Sequence, residues 1–156
     1  MSAVVDYTVQ KSTFCDALEL AEKLRAVDRR EILASHHLKP LEAAEAVVTL
    51  SDECRTGRAN GELVCMFGVK RHTMVSDYGS IWMLGTDLVE KYAVRFLREN
   101  QREIEKLSAG FQLLENWCDA RNKSTLRWLK WLGFTIEPAQ PYGAHGMPFH
   151  HFYKEF

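Results

Sequence analysis

Asn60-Gly61 is the feature that most narrows what this chain can become. Both residues tolerate positive φ, so an Asn-Gly link between two strand-like runs favours the tight turn of an antiparallel hairpin. The flanking runs span 54–59 and 62–70. Inside the second, Leu63-Val64-Cys65-Met66-Phe67 is continuously apolar and predicts a strand buried on both faces. Before the hairpin the period is helical. Ser12 and Thr13 offer hydroxyls that can cap a helix, and Phe14, Ala17, Leu18, Ala21 and Leu24 then recur every 3.6 residues. A shorter helix is expected over 28–36. Pro40 opens another, with Leu41, Ala44, Val47 and Val48 on one side. Residues 4–9 are β-branched and read as an opening strand.

Beyond the hairpin the pattern predicts a loop over 72–79, a strand over 80–84 and one long helix over 87–108. Its buried face would carry Leu88, Val89, Tyr92, Phe96, Leu97, Ile104 and Leu107, and Gly110 would end it. A strand over 111–117 follows. Asn122 can cap a helix over 123–132, stopped by Gly133. Short strands at 135–136 and 149–153 would enclose a Pro/Gly-rich loop, 138–148. Hairpins plus one strand–helix–strand crossover define an α+β fold with a mixed, mostly antiparallel sheet flanked by helices. At 156 residues without a visible linker, the chain reads as a single domain over 1–156.

Charge and cysteine content exclude several classes. The 20 basic and 21 acidic residues leave a net charge of −1, unlike a nucleic-acid coat or an acidic tail. The balance conceals an asymmetry: residues 1–90 hold 10 basic and 14 acidic side chains, whereas 91–130 hold 9 and 5. An anion-binding surface is therefore expected in the latter stretch. No apolar run is long enough for a membrane span, and no basic-then-apolar leader is visible, so a soluble protein of the cytoplasm is expected. Cys15, Cys54, Cys65 and Cys118 form no close pair of the kind zinc ribbons and redox motifs need, and read as ordinary thiols.

Three constellations stand out. Lys91, Arg95, Arg98, Arg102 and Lys106 recur at spacings that place five cations on one helical stripe. Such a stripe is either a phosphate track or a solvated face, since Glu99, Glu103 and Glu105 neutralise part of it. Trp128 and Trp131, three apart with Arg127 and Lys130 between and beside them, either anchor a flat ligand or partner, or belong to the core. The pairs His36-His37 and His150-His151 offer no metal set, because neighbours on a strand point to opposite faces. No metal is expected. Nucleophile elbows, P-loops and H-E-x-x-H motifs are absent.

The run from Asn122 to Phe134, with Leu126, Trp128, Leu129 and Leu132-Gly133-Phe134, resembles the late "N…A…LY…LGF" segment of the GNAT N-acetyltransferase superfamily. Across almost the whole chain, four further runs are similar to a phage family of GNAT-like fold that includes an internal-virion or virion-assembly protein of short-tailed phages. These are Ala59-Asn-Gly-Glu with Met66-Phe-Gly-Val69, Trp82-Met-Leu-Gly-Thr86, the segment from Leu114 to Asn122, and Pro141-Tyr-Gly143 with Pro148-Phe-His150. The resemblance implies a GNAT fold, acetyl-CoA as cofactor, Asn122 on its pantetheine arm and strand amides from Met83 to Gly85 near the thioester. The same resemblance exposes two departures. The segment matching the family's glycine-rich diphosphate loop, Gly85 to Glu90, has one glycine and two acids. The position of the tyrosine that protonates the leaving thiolate is Leu129. The expectation is therefore a phage protein acting in virion assembly or inside the virion, with phage structural proteins as partners, a degenerate acetyl-CoA site, and the basic stripe and tryptophan face as contact surfaces. The alternative is an acetyl-CoA-dependent N-acyltransferase, its base drawn from Glu115, Asp119 or a water.

Overall fold

The computed structural model describes residues 4–156. Eight strands form one sheet in the order β1-β2-β3-β4-β5-β8-β6, with β7 pairing the outer edge of β8. The Asn-Gly hairpin is its centre. β2 (Glu53–Ala59) and β3 (Glu62–Arg71) pair antiparallel about Asn60 (φ 51°) and Gly61 (φ 82°). Leu63 through Phe67 are at most 3% exposed, as a strand covered on both faces requires. Val64 is the extra residue of a bulge between Leu63 and Cys65. β1 (Tyr7–Lys11) lies against β2, starting later than the sequence pattern suggested. Its pairing is bounded by the turn itself, where Asp6 and Asn60 exchange hydrogen bonds.

Helices α1 (Phe14–Lys23), α2 (Ala26–His36) and α3 (Pro40–Leu50) cover one face. Thr13 and Asp16 form a capping box at the start of α1. The helix turns Ala17, Leu20 and Leu24 inward, whereas Phe14 and Leu18 are 49% and 43% exposed. The expected face was thus rotated by one position, because Leu20 rather than Leu18 meets Leu63 and Met66 beneath it. On the other face lie α4 (Leu88–Lys91) and α5 (Ala93–Leu107). These replace the single helix expected over 87–108. The axis breaks at Tyr92, yet Val89, Tyr92 and Phe96 all keep to the same core, so the periodicity runs through the break unaltered.

β4 (Tyr78–Gly85) pairs antiparallel with β3 from Gly79 to Gly85. β5 (Leu113–Asp119) begins two residues later than expected, since Phe111 turns back to stack against the Arg71 guanidinium. Helix α6 (Lys123–Trp131) is capped by the Asn122 side chain, and Gly133 (φ 92°) provides its left-handed exit. β6 (Thr135–Ile136), β7 (Gln140–Tyr142) and β8 (Met147–Glu155) complete the sheet. The loop expected over 138–148 is therefore mostly a hairpin. Pro141 faces Pro148 on the outermost edge, where a missing N–H costs little.

Close strand packing leaves no room at Gly68, where an added Cβ would stand 2.3 Å from the Glu53 carbonyl oxygen and 2.9 Å from the Trp82 ring. Gly68→Ala is expected to destabilise the fold by about 1–3 kcal/mol, the usual cost of overpacking. The check is a lower urea midpoint at unchanged slope.

Candidate active site

β4 and β5 run parallel and are paired only at Tyr78, Gly79 and Ser80, opposite Leu113, Leu114 and Glu115. Beyond these three residues the strands part. The Asn116 side chain closes the end of the seam, donating from Nδ2 to the Ile81 carbonyl at 2.7 Å. The gap opens into a cavity of about 520 Å³ that continues on both faces of the sheet. On one face its walls include Phe96, Trp128 and Leu129. On the other they include Glu31, Val47, Trp82 and Tyr142.

The β4 edge of this gap is almost fully engaged. Ile81 O is met by Asn116, Gly85 N donates to Asp28 Oδ2 at 2.8 Å, and Gly85 O accepts from the Arg25 amide at 2.9 Å. Hydrogen bonds alternate between the two edges of a strand, so Met83, midway between these ties, turns its N–H and C=O into the gap. Of the two strand amides proposed from the sequence, that of Gly85 is committed to Asp28 and that of Met83 is free to meet a ligand.

A polar cluster ties the gap to both layers of helices. Arg25, 3% exposed, makes two hydrogen bonds to Asp28, donates to Thr125 Oγ1 at 2.8 Å and lies 5.2 Å from the centre of the Trp128 ring. Asn122, 1% exposed, caps α6 through Oδ1 and donates from Nδ2 to Glu31 Oε2 at 2.8 Å. Its amide is thus occupied by α2. Burial first, and then the charge of Asp28, pushes the Glu31 carboxyl up to about 8, against an opposing hydrogen bond from Asn122. A carboxyl tuned to this range can hold a proton and give it up near neutral pH.

The acids favoured by the sequence lie elsewhere. Burial would raise Asp119, but Arg121 wraps its carboxylate at 2.7 and 3.0 Å and holds it below the ordinary range. Glu115 stands 3.5 Å from His151 Nε2, and the same imidazole is bound through Nδ1 to Glu137. Glu31 escaped the sequence reading. Its signal was an Asp28/Glu31 pair three apart on a helix, which puts two acids on one face.

The two tryptophans do not share a surface. Trp128 is buried edge-on against Phe96, with ring centres 5.4 Å apart, while Trp131 is 55% exposed. A three-residue step turns the helix far enough to separate wall from solvent. The basic stripe is likewise divided. Lys91 belongs to α4 and lies over the Tyr92 ring, and the other four cations are on α5. Arg95 and Arg102 both reach Glu99, Lys106 reaches Glu103, and Arg98 is exposed.

Acetyl-CoA fits the groups present. Among the proposed loop residues, the amides of Gly85, Thr86, Leu88 and Val89 are already bonded within the chain. The break at Tyr92 supplies a second helix start. No acceptor among the described residues meets the amides of Ala93, Val94 and Arg95, and the cations adjacent in sequence are Lys91, over the Tyr92 ring, and Arg95, paired with Glu99. Free amides at a helix start, with two cations, suit a diphosphate. The gap beside Met83 suits a narrow amide-bearing arm.

No protein-family model matches the chain, and no curated protein sequence matches it. Solved structures do. A GNAT-family acetyltransferase from Streptococcus pneumoniae superposes with a TM-score of 0.63 at 12% identity, covering 97% of this chain and 100% of that one. For a putative acetyltransferase from Acinetobacter baylyi the TM-score is 0.73 at 14% identity, covering 99% and 95%. A phosphinothricin acetyltransferase from Sinorhizobium meliloti, solved with acetyl-CoA, gives 0.69 at 12% identity, covering 96% and 88%. The chain therefore has the single-domain GNAT fold, as the sequence resemblance implied. The comparisons give no support to a phage or virion family. Among the described residues no helix is long and apolar enough to cross a membrane, and no cluster of three metal-ligating side chains occurs.

Proposed function

We propose that this protein is an acyl-CoA-dependent N-acyltransferase, the reading held above as the alternative to virion assembly. The observation that carries it is Glu31, a carboxyl raised to about 8, opening on a cavity that passes through the sheet at the parted strands. Raised carboxyls set in a cavity gather at sites that do chemistry. Acetyl-CoA would be held by the amides at 93–95 with Lys91 and Arg95, and along β4 at Met83. When bound, it supplies an acyl group activated as a thioester.

The chain's own residues do the rest. Glu31 takes a proton from the ammonium form of the acceptor, leaving a nucleophilic amine. Asn122 fixes the Glu31 carboxylate, and Asn122 is itself fixed as the cap of α6. The Met83 N–H is placed to polarise a carbonyl in the gap. Phe96, Trp128 and Leu129 exclude water from the wall opposite, where Leu129 has no proton to give.

Calorimetric titration with acetyl-CoA and CoA tests the reading. Binding is expected at a Kd of roughly 100 µM or tighter, about −5.5 kcal/mol. Replacing Lys91 and Arg95 together by Ala is expected to weaken it about tenfold. Absence of heat from folded protein would retire the cofactor and return the search to assembly partners.

A further inference from the structure

The half of the cavity beneath α2 and α3 is built differently from an acidic channel. Ile32, Ala43, Val47 and Trp82 make its wall, and Trp117 and Tyr142 close its far side as a parallel stack, ring centres 4.2 Å apart and 8° from coplanar. The Trp82 Nε1 proton is already given to Ser51 Oγ at 2.8 Å, so that ring offers the cavity only its apolar surface. Charge is scarce here. Asp28 is neutralised by Arg25 and Asp119 by Arg121, Glu115 and Glu137 lie outside the lining against His151, and the Lys70 of the lining is exposed. Among the described residues that line the cavity, Glu31 is left as the only carboxyl with an open side.

The end of this half is closed by the β7–β8 turn. Ala144 N donates to Ser35 O at 2.9 Å and His145 N to Ala34 O at 3.4 Å. The His37 and His145 rings meet at 3.0 Å. Gly143, at φ 81°, lies so close to α2 that a Cβ there would be 2.7 Å from Ser35 Cα. An extended polypeptide therefore has no straight path past Tyr142.

We propose that the acceptor is a small primary amine carried on a flat apolar body, such as an arylalkylamine, and not a polyamine or a protein N-terminus. One cationic nitrogen meets one carboxyl, Glu31, and the ring lies between Trp82 and the edge of the Trp117–Tyr142 stack. A polyamine would bring second and third cations to a wall with no free acid and a lysine in its lining, an uncompensated burial of charge. This assignment rests on the acyltransferase reading for its chemistry but not for its binding.

The test is direct titration without cofactor, followed by tryptophan fluorescence, using 2-phenylethylamine, spermidine and a tetrapeptide with a free N-terminus. Phenylethylamine is expected to bind at least about tenfold more tightly than either of the others. Tyr142→Ala is expected to abolish that preference while thermal melting stays within a few degrees. In parallel, each amine is offered with acetyl-CoA and acetylation is read by mass. Phenylethylamine binding without acetylation keeps the site and sinks the acyltransferase. Acetylation of spermidine or of the peptide in preference to phenylethylamine keeps the enzyme and overturns the acceptor class. Equal, weak binding of all three overturns it as well.

Discussion

Glu31→Gln is expected to lower kcat/KM for acyl transfer by about 10²–10⁴-fold, the range over which positioned general bases contribute. The amide is isosteric and its oxygen still accepts from Asn122, so acetyl-CoA affinity and melting temperature at pH 6 are expected to stay near those of the parent. The pH profile makes the test specific. Because the carboxyl must be ionised to accept a proton, the parent rate is expected to rise with pH and level off above about 8. The Gln variant is expected to lose that rise. A profile unchanged by the substitution would remove Glu31 from the chemistry. Stability carries the opposite sign. Folding raises the Glu31 carboxyl from its ordinary value of 4.5 to about 8, so between those values the folded chain holds a proton that the unfolded chain has released. This group's contribution to stability therefore falls as pH climbs through that window, and the Gln variant escapes the loss.

Arg25→Ala is expected to cost about 3–5 kcal/mol of folding stability, because it strands Asp28 as an unpaired charge, 3% exposed, in the interior. It also removes the hydrogen bond to Thr125 and the contact with Trp128, so the N-terminus of α6 loses its tie to α2. Chemical denaturation measures the loss. Replacing Arg25 by Met and Asp28 by Leu together is expected to recover only part of it: no charge is left unpaired, but the buried Gly85 N–H loses its acceptor, at a cost of about 1–3 kcal/mol. If the single variant were as stable as the parent, Arg25 would hold nothing together.

Much of this was legible in the residues, and the limits have physical causes. Asn60-Gly61, the cap at Thr13, Pro40 and Gly133 act through their own backbones, so each boundary they mark can be read locally. The break at Tyr92 could not be read, because it preserves the apolar phase on both sides. The division of labour between Trp128 and Trp131 depends on where α5 lies, information held 32 residues away in Phe96. Glu31 depends on more distant company still. Its tuning comes from Asp28 beside it and from Asn122, 91 positions along the chain. The GNAT fold was visible through the run from Asn122 to Phe134. The virion role attached to the same resemblance gained no support.

The three-residue seam between β4 and β5 also orders the chain in time. Strands β1 to β4 and their three helices occupy residues 7–85, and β5 to β8 occupy 113–155, so every other strand pairing lies within one stretch or the other. Each stretch can pair its strands without waiting for its counterpart, since pairings close in sequence carry the smaller loop-closure penalty. What remains for last is the short parallel join, with Asn116 as its clasp. The cavity is thus expected to be a product of assembly between two half-sheets, closed late in folding; faster amide exchange at Leu113–Glu115 than along β2 and β3 would show it.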